Sequence, residues 1–226
     1  MIRALIFDFN GVLADDDPIH ERALQQVAAE EGLSFTHGEY LDIYLPLNDW
    51  DCFKTLFGMH SRALSASKLA ELIQRKSVYY FEAIAERRVL FDGAAEAVRA
   101  AAGRFPLAIA SGARIDEIRH ILDQADLQSC FSAIVAAEDV KNGKPHPEPF
   151  LKAYDRLRER NGSLTPAECV AIEDSIGGIQ SAHDAGMQCL GIAHSYERGR
   201  LAVAHPAWII DSIQDFVPWL EKETSK

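Results

Sequence analysis

Ala4-Leu5-Ile6-Phe7-Asp8-Phe9-Asn10-Gly11 opens with four apolar residues and stops at a carboxylate, an amide and a glycine. An apolar run that short, bounded by a Gly turn, fits a strand buried on both faces better than a helix, which needs about ten residues. In an open α/β sheet, ligands collect where strands end at their carboxyl side, and Asp8 falls at that lip. Asp also opens turns for purely local reasons. Within these residues both readings of Asp8 stand.

The rest of the chain sets the context. Asp15-Asp16-Asp17 followed by Pro18 makes a good helix start. Ile19, Ala23, Val27 and Ala28 then recur at helical spacing up to Gly32. No confident strand follows before Arg88, and Leu64 to Ala85 reads as one long helix or two in succession. After Phe91-Asp92-Gly93 the pattern changes. Strands at 107–111, 133–136, 169–172 and 188–193 alternate with helices at about 94–103, 114–124, 147–160 and 176–185, and a short strand at 207–210 precedes a helix near Ser212 to Lys222. Such alternation predicts a parallel, doubly covered sheet with right-handed crossovers. The expected fold is α/β, a Rossmann-like parallel sheet core (residues 1–15 and 93–226) with an inserted all-helical cap (16–92).

The chain has 226 residues, 48% of them apolar and 25% charged, ordinary for a globular protein with a full core. The formal charge of −11 argues against nucleic acid or an anionic membrane as partner, because both demand basic surface. It leaves room for a small phosphorylated substrate at a locally positive site. Cys52, Cys130, Cys169 and Cys189 are scattered without a CxxC pair, which suits reduced thiols and offers no zinc pattern. The first residues lack a charged segment leading into an apolar one, and no apolar run approaches the ~18 residues of a membrane span. A cytoplasmic protein, monomer or weak dimer, is the expectation.

Polar residues gather at strand ends: Asp8, Ser111, Lys144 in the loop after the third strand, and the pair Glu173-Asp174. Each has a local alternative. Ser111 could cap the next helix, Lys144 could be an ordinary surface lysine, and Glu173-Asp174 could cap the helix at Ile176. Together they converge on one edge of a parallel sheet. FDFNGVLADD (7–16), ASGA (110–113), GKPHPEPF (143–150) and IEDSIGGI (172–179), in that order, resemble the haloacid dehalogenase superfamily, in its β-phosphoglucomutase-like and phosphatase branch with a type 1 helical cap.

The resemblance implies roles. Asp8 would be the nucleophile that forms an aspartyl-phosphate. Ser111, with Gly112 beside it, would bind the transferring phosphoryl group, and Lys144 would neutralise charge between two anions. Asp8, Asp174 and the Asn10 carbonyl would hold Mg²⁺, with Glu173 in direct or indirect contact; oxygen-only ligands suit that ion. The implied activity is removal of phosphate from a small phosphorylated metabolite.

Asn10 departs from the family pattern, which has a second Asp there as general acid–base. An amide cannot shuttle a proton, and that role is worth roughly 10²–10⁴-fold. Asp16 could stand in for it, with helix capping as the bland alternative. Other readings are a good leaving group such as an acyl phosphate, a phosphomutase, a phosphonate-cleaving enzyme using Lys54, Lys68 or Lys76 as a Schiff base, or a phospholigand-binding protein without turnover. In the cap, the 45–51 segment with Asn48 falls where relatives place a specificity loop. Lys76 resembles a substrate lysine of the mutase branch, or is a solvated helix residue, and His20 matches a hinge-helix histidine there.

Overall fold

The computed structural model of the protein describes residues 1–225 other than Pro46, Glu86 and Asn161. It divides into two compact units, Met1–Asp15 with Leu90–Lys226, and Asp16–Val89.

After β1 (Ala4–Phe7) the chain enters the helical unit, built on α1 (Asp17–Glu30), α2 (Asp49–Met59) and α3 (Ala66–Ile84). Pro18 sits in the first turn of α1, where a missing N–H costs nothing. Ser65 accepts the Lys68 N–H and starts α3, which runs as one helix across the stretch where the sequence allows two. Leu24 and Val27 of α1, Phe53 and Leu56 of α2, and Leu72 and Ile73 of α3 meet in one apolar core. Pro46, part of the expected specificity loop, lies outside the described residues.

The sheet unit resumes with α4 (Ala94–Ala102), β2 (Leu107–Ala110), α5 (Ile115–Gln124), β3 (Ala133–Val135), α6 (Glu148–Arg158), β4 (Cys169–Glu173), α7 (Ile176–Asp184), β5 (Gln188–Ile192), β6 (Trp208–Ile210) and α8 (Phe216–Thr224). Leu90 and Phe91 belong to this unit: Leu90 bridges Ala14, and the Phe91 N–H donates to the Leu13 carbonyl at 2.9 Å. The last helix begins at Phe216 rather than Ser212. Ser212 accepts the Gln214 N–H while Asp215 accepts the Ser212 N–H, which closes a separate turn first.

All strands run parallel in the order β3-β2-β1-β4-β5-β6. β1, β2 and β4 are buried along their whole length, as their unbroken apolar runs require. Phe7 pairs with Ile109 on one side and Ile172 on the other. That register brings Asp8, Ser111 and Glu173 to the same edge, and the Asp8 N–H extends the ladder to the Ile172 carbonyl at 2.9 Å.

Phe7 is the last core residue before that edge. It is fully buried, edge-on to Phe131 (centroids 6.2 Å, 88°) and tilted against Phe216 of α8 (5.5 Å). Phe7→Ala is expected to cost roughly 3–5 kcal/mol. Urea unfolding should show a lower midpoint at an unchanged slope.

Candidate active site

Four segments build the site in the sheet unit. Behind Asp8, the chain turns tightly: the Phe9 carbonyl accepts from both Leu13 and Ala14 N–H, and Gly11 takes φ +73°. That left-handed conformation favours glycine. A side chain is excluded there in any case, because a Cβ on Gly11 would lie 2.1 Å from Asp174 Oδ2. The loop after Asp8 therefore packs its backbone directly on the end of β4.

After β2, Ser111 does not cap α5, whose N-cap position is Arg114. Its Oγ accepts the Ala113 N–H at 3.0 Å, a local turn that leaves Gly112 exposed at its crest, and it reaches Asn10 Oδ1 at 3.4 Å.

The loop carrying Lys144 is tied down at both ends. Glu148 accepts the Lys141 and Asn142 N–H groups at 3.0 Å and pairs with Lys152 at 2.9 Å. These donors, led by the Lys141 N–H, hold its carboxyl near about 2. Ser181 of α7 donates to the His146 carbonyl at 2.7 Å. The result is a lysine with its side chain 7% exposed, reaching over the Phe150 ring to Asp8 Oδ1 (2.7 Å) and Glu173 Oε1 (2.5 Å). It is no surface lysine. Burial opposes its charge, yet the Asp8 and Glu173 carboxylates hold its ammonium above the ordinary range.

At the end of β4, Glu173 curls onto the start of α7. Its Oε2 accepts from the Asp174 N–H, the Ser175 N–H and the Ser175 hydroxyl, all near 3 Å. Gly178 makes room for it, since a Cβ there would sit 1.8 Å from Glu173 Oε1. Ser175, rather than the acidic pair, caps α7 through the Gly178 N–H.

Carboxylate oxygens of Asp8, Glu173 and Asp174 lie within 4.8 Å of one another. Burial pushes the Asp8 carboxyl up to about 7, against the pull of Lys144, and the Glu173 charge adds to the rise. Three carboxylates against one ammonium leave negative charge in a buried place, which favours a cation. The donors are oxygens only, the set that Mg²⁺ accepts. The residues present thus fit the ion. Since both Glu173 oxygens are engaged by Lys144 and by three N–H and O–H donors, Asp8 and Asp174 are the better ligands.

The sequence reading passed over the loop after β5. There Ser195 Oγ donates to Asp174 Oδ2, and His194 Nδ1 meets the Gly11 carbonyl at 2.8 Å. The rule that chemistry gathers at carboxyl strand ends pointed to this loop, but His and Ser carried no motif to mark it.

Asp16, Asn48 and Lys76 fall in the helical unit. Asp16 stands at the start of α1 but makes no side-chain capping bond. It is fully buried, and its Oδ2 receives the Tyr80 hydroxyl and His20 Nε2, the latter at 3.3 Å. Lys76 is 2% exposed, not a solvated helix residue, and reaches Asp49 Oδ1 at 2.6 Å and His20 Nδ1 at 2.5 Å. Asn48 caps α2, accepting the Asp51 N–H and donating to Asp51 Oδ2, both at 3.0 Å. Lys54 and Lys68 are paired with Asp51 and with Glu31 and Glu71, and the Glu31 hydrogen bond raises the Lys68 ammonium further. An ammonium held charged, as that of Lys68 is, makes a poor Schiff-base nucleophile.

Comparison with known proteins identifies the family. Residues 2–186 match the haloacid dehalogenase-like hydrolase family. The chain is 32% identical over 207 residues to the CbbY protein of Rhodobacter capsulatus, covering 88% of each. It is 29% identical to the fructose-1-phosphate phosphatase YqaB of Escherichia coli, over 83% of this chain and 95% of that one. It superimposes with a TM-score of 0.81, at 25% identity, on an Asp-to-Asn variant of CbbY from Rhodobacter sphaeroides holding xylulose-1,5-bisphosphate, covering 95% of this chain and 96% of that one. The chain is an enzyme of the haloacid dehalogenase-like hydrolase family, similar to its phosphatase and β-phosphoglucomutase members.

Proposed function

We propose that this protein is a Mg²⁺-dependent hydrolase that removes phosphate from a small phosphorylated metabolite through an aspartyl-phosphate at Asp8. The observation that carries the reading is Lys144 Nζ at 2.7 Å from Asp8 Oδ1, on the edge where Glu173 and Asp174 also end. A carboxylate meets a phosphate only if something cancels their repulsion, and a buried ammonium beside the nucleophile supplies that. Relatives named as a fructose-1-phosphate phosphatase and as a CbbY protein bound to a sugar bisphosphate favour a phosphorylated sugar.

In this reading an Asp8 carboxylate oxygen attacks phosphorus, and the bond from phosphorus to the leaving oxygen breaks. A water then attacks the phosphoryl group on Asp8, which releases inorganic phosphate and restores the carboxylate. Asp8, Asp174 and the Asn10 carbonyl would hold Mg²⁺, and the bound ion would supply positive charge near the phosphoryl group. Ser111 and Gly112 meet the phosphoryl group at the β2 end. Glu173 positions Lys144 and the start of α7. Lys76 is engaged by Asp49 and His20 and Asn48 by Asp51, so in this reading either would reach a substrate only by giving up those partners.

Asn10 can donate a hydrogen bond to the leaving oxygen but cannot give it a proton. The reading therefore expects slow turnover of sugar phosphate esters and faster turnover of any substrate whose leaving group departs without acid help, such as an acyl phosphate. Asp16 is read as a buried tie between α1 and α3, because its carboxylate is already committed to Tyr80 and His20.

Steady-state phosphate release with Mg²⁺, across sugar phosphates, simple phosphate esters and acyl phosphates, tests this directly. Asp8→Asn should abolish release from every substrate. Binding without release by the unaltered chain, across the whole panel, would make the protein a phospholigand binder instead. Asn10→Asp is expected to raise turnover of esters by roughly 10²–10⁴-fold and to leave acyl phosphates nearly unchanged. An equal effect on both classes would remove proton transfer as the missing element. Asp16→Asn should leave turnover intact while lowering stability by about 1–3 kcal/mol. A fall in turnover of about 10²-fold would make that carboxylate the stand-in for position 10.

A further inference from the structure

The structure assigns a positioning role to His194 and Ser195: this dipeptide, just past β5, clasps the nucleophile loop to the metal-binding end of β4. The inference rests on the proposed metal site and adds to it two residues that the four sequence motifs do not contain.

His194 holds the nucleophile loop. Its Nδ1 lies 2.8 Å from the Gly11 carbonyl, which can only accept, so that nitrogen carries the proton. Its Nε2 receives the Ile213 N–H at 3.2 Å, which can only donate, so that nitrogen carries none. The two bonds specify a neutral ring in the Nδ1–H tautomer and bridge Gly11 to the segment that precedes α8. Phe91, where the chain re-enters the sheet unit, lies against the imidazole with centroids 4.0 Å apart. Burial also lowers the imidazole's affinity for a second proton, in keeping with a neutral ring.

Ser195 holds the other side. Its hydroxyl donates to Asp174 Oδ2, which turns that carboxylate about its own axis and fixes where the second oxygen points. Between the two contacts lies Gly11, whose missing side chain is what lets them coexist: a Cβ would sit 2.1 Å from Asp174 Oδ2 and 2.9 Å from Ser195 Oγ. Two neighbouring residues on one loop thus set the register of β1's continuation and the orientation of β4's carboxylate at once. A ligand carboxylate whose outer hydrogen bond is removed loses orientation, and metal affinity falls by about 10–100-fold in such cases.

Calorimetric titration of Mg²⁺ into the full chain reads this without any turnover. Ser195→Ala is expected to weaken Mg²⁺ binding by about 10–100-fold, with thermal unfolding in chelator left near that of the parent. Ser195→Thr, which keeps the hydroxyl, should restore affinity. Equal affinity in Ser195→Ala and the parent would overturn the clasp while leaving the metal site standing. Absence of Mg²⁺ binding in the parent would instead overturn the metal site and the clasp with it. If Ser195→Ala does not fold, Ser195→Cys against Ser195→Thr gives the same comparison, since a thiol is a weak donor. For the other half, two-bond ¹H–¹⁵N correlation should show His194 neutral with its proton on Nδ1. A proton on Nε2 would rule out the bridge.

Discussion

Lys144 reaches Asp8 on β1 and Glu173 on β4 with one ammonium, and the site is organised around that contact. Two carboxylates and a lysine have been taken out of water here, each at a desolvation cost of several kcal/mol. Their mutual attraction offsets that cost only with all three in place. Removing the lysine would leave two like charges facing one another, and removing either carboxylate would leave the ammonium over the Phe150 ring with a single ionic partner. The sheet order makes the triad possible, because β1 and β4 are direct neighbours while the lysine arrives on the loop ahead of α6. The Glu148 carboxylate that gathers the N–H groups of that loop belongs to the same device, since a buried cation needs a backbone that cannot swing it out into water.

Close approach is the second constraint. Gly11 and Gly178 sit where the backbone must touch a carboxylate, 2.1 Å from Asp174 Oδ2 and 1.8 Å from Glu173 Oε1 if each carried a Cβ. Their roles differ from that of a turn glycine chosen for flexibility. Gly178 opens the first turn of α7 so that Glu173 can lie against the helix start and accept the Asp174 and Ser175 N–H groups just ahead of it, where the helix end favours negative charge. Gly11 brings a strand end against the neighbouring strand end. The motif residues around Asp8 and Asp174 are therefore one packed object, and a change at a glycine acts on the acids.

The fold was legible because each strand here is a bounded apolar run at a regular distance from the next. Burial on both faces leaves no alternation to misread, and the break between Asp15 and Phe91 shows as the loss of such runs. The four motif segments were legible for the same reason, being placed by strand ends. Side-chain partners were not. Asp16 stands at a helix start and reads as a cap, yet its carboxylate goes to Tyr80 and His20. Lys76 reads as a substrate lysine or a solvated one, and its ammonium is buried between Asp49 and His20. Asn48, read from the sequence as a substrate group, has a capping partner in Asp51 that the sequence reading did not name. His194 and Ser195 carry no mark in the sequence. Periodicity reports which face of an element is covered, whereas the partner of one polar side chain depends on residues far along the chain.

Position 10 separates two capacities that an active site of this kind ordinarily combines. Stabilising charge needs Lys144, the β4 carboxylates and the packed glycines, and all of these are present with their partners. Moving a proton needs a titratable group, and an amide has none at any accessible pH. Asn10 has nearly the shape of an Asp, and its Oδ1 accepts the Ser111 hydroxyl at 3.4 Å. What changes is the range of leaving groups. An alkoxide expelled without a proton is a poor leaving group, whereas a carboxylate expelled from an acyl phosphate needs no proton. In the proposed reaction, a site whose electrostatics are intact and whose acid is missing selects by leaving-group chemistry before any recognition contact is made.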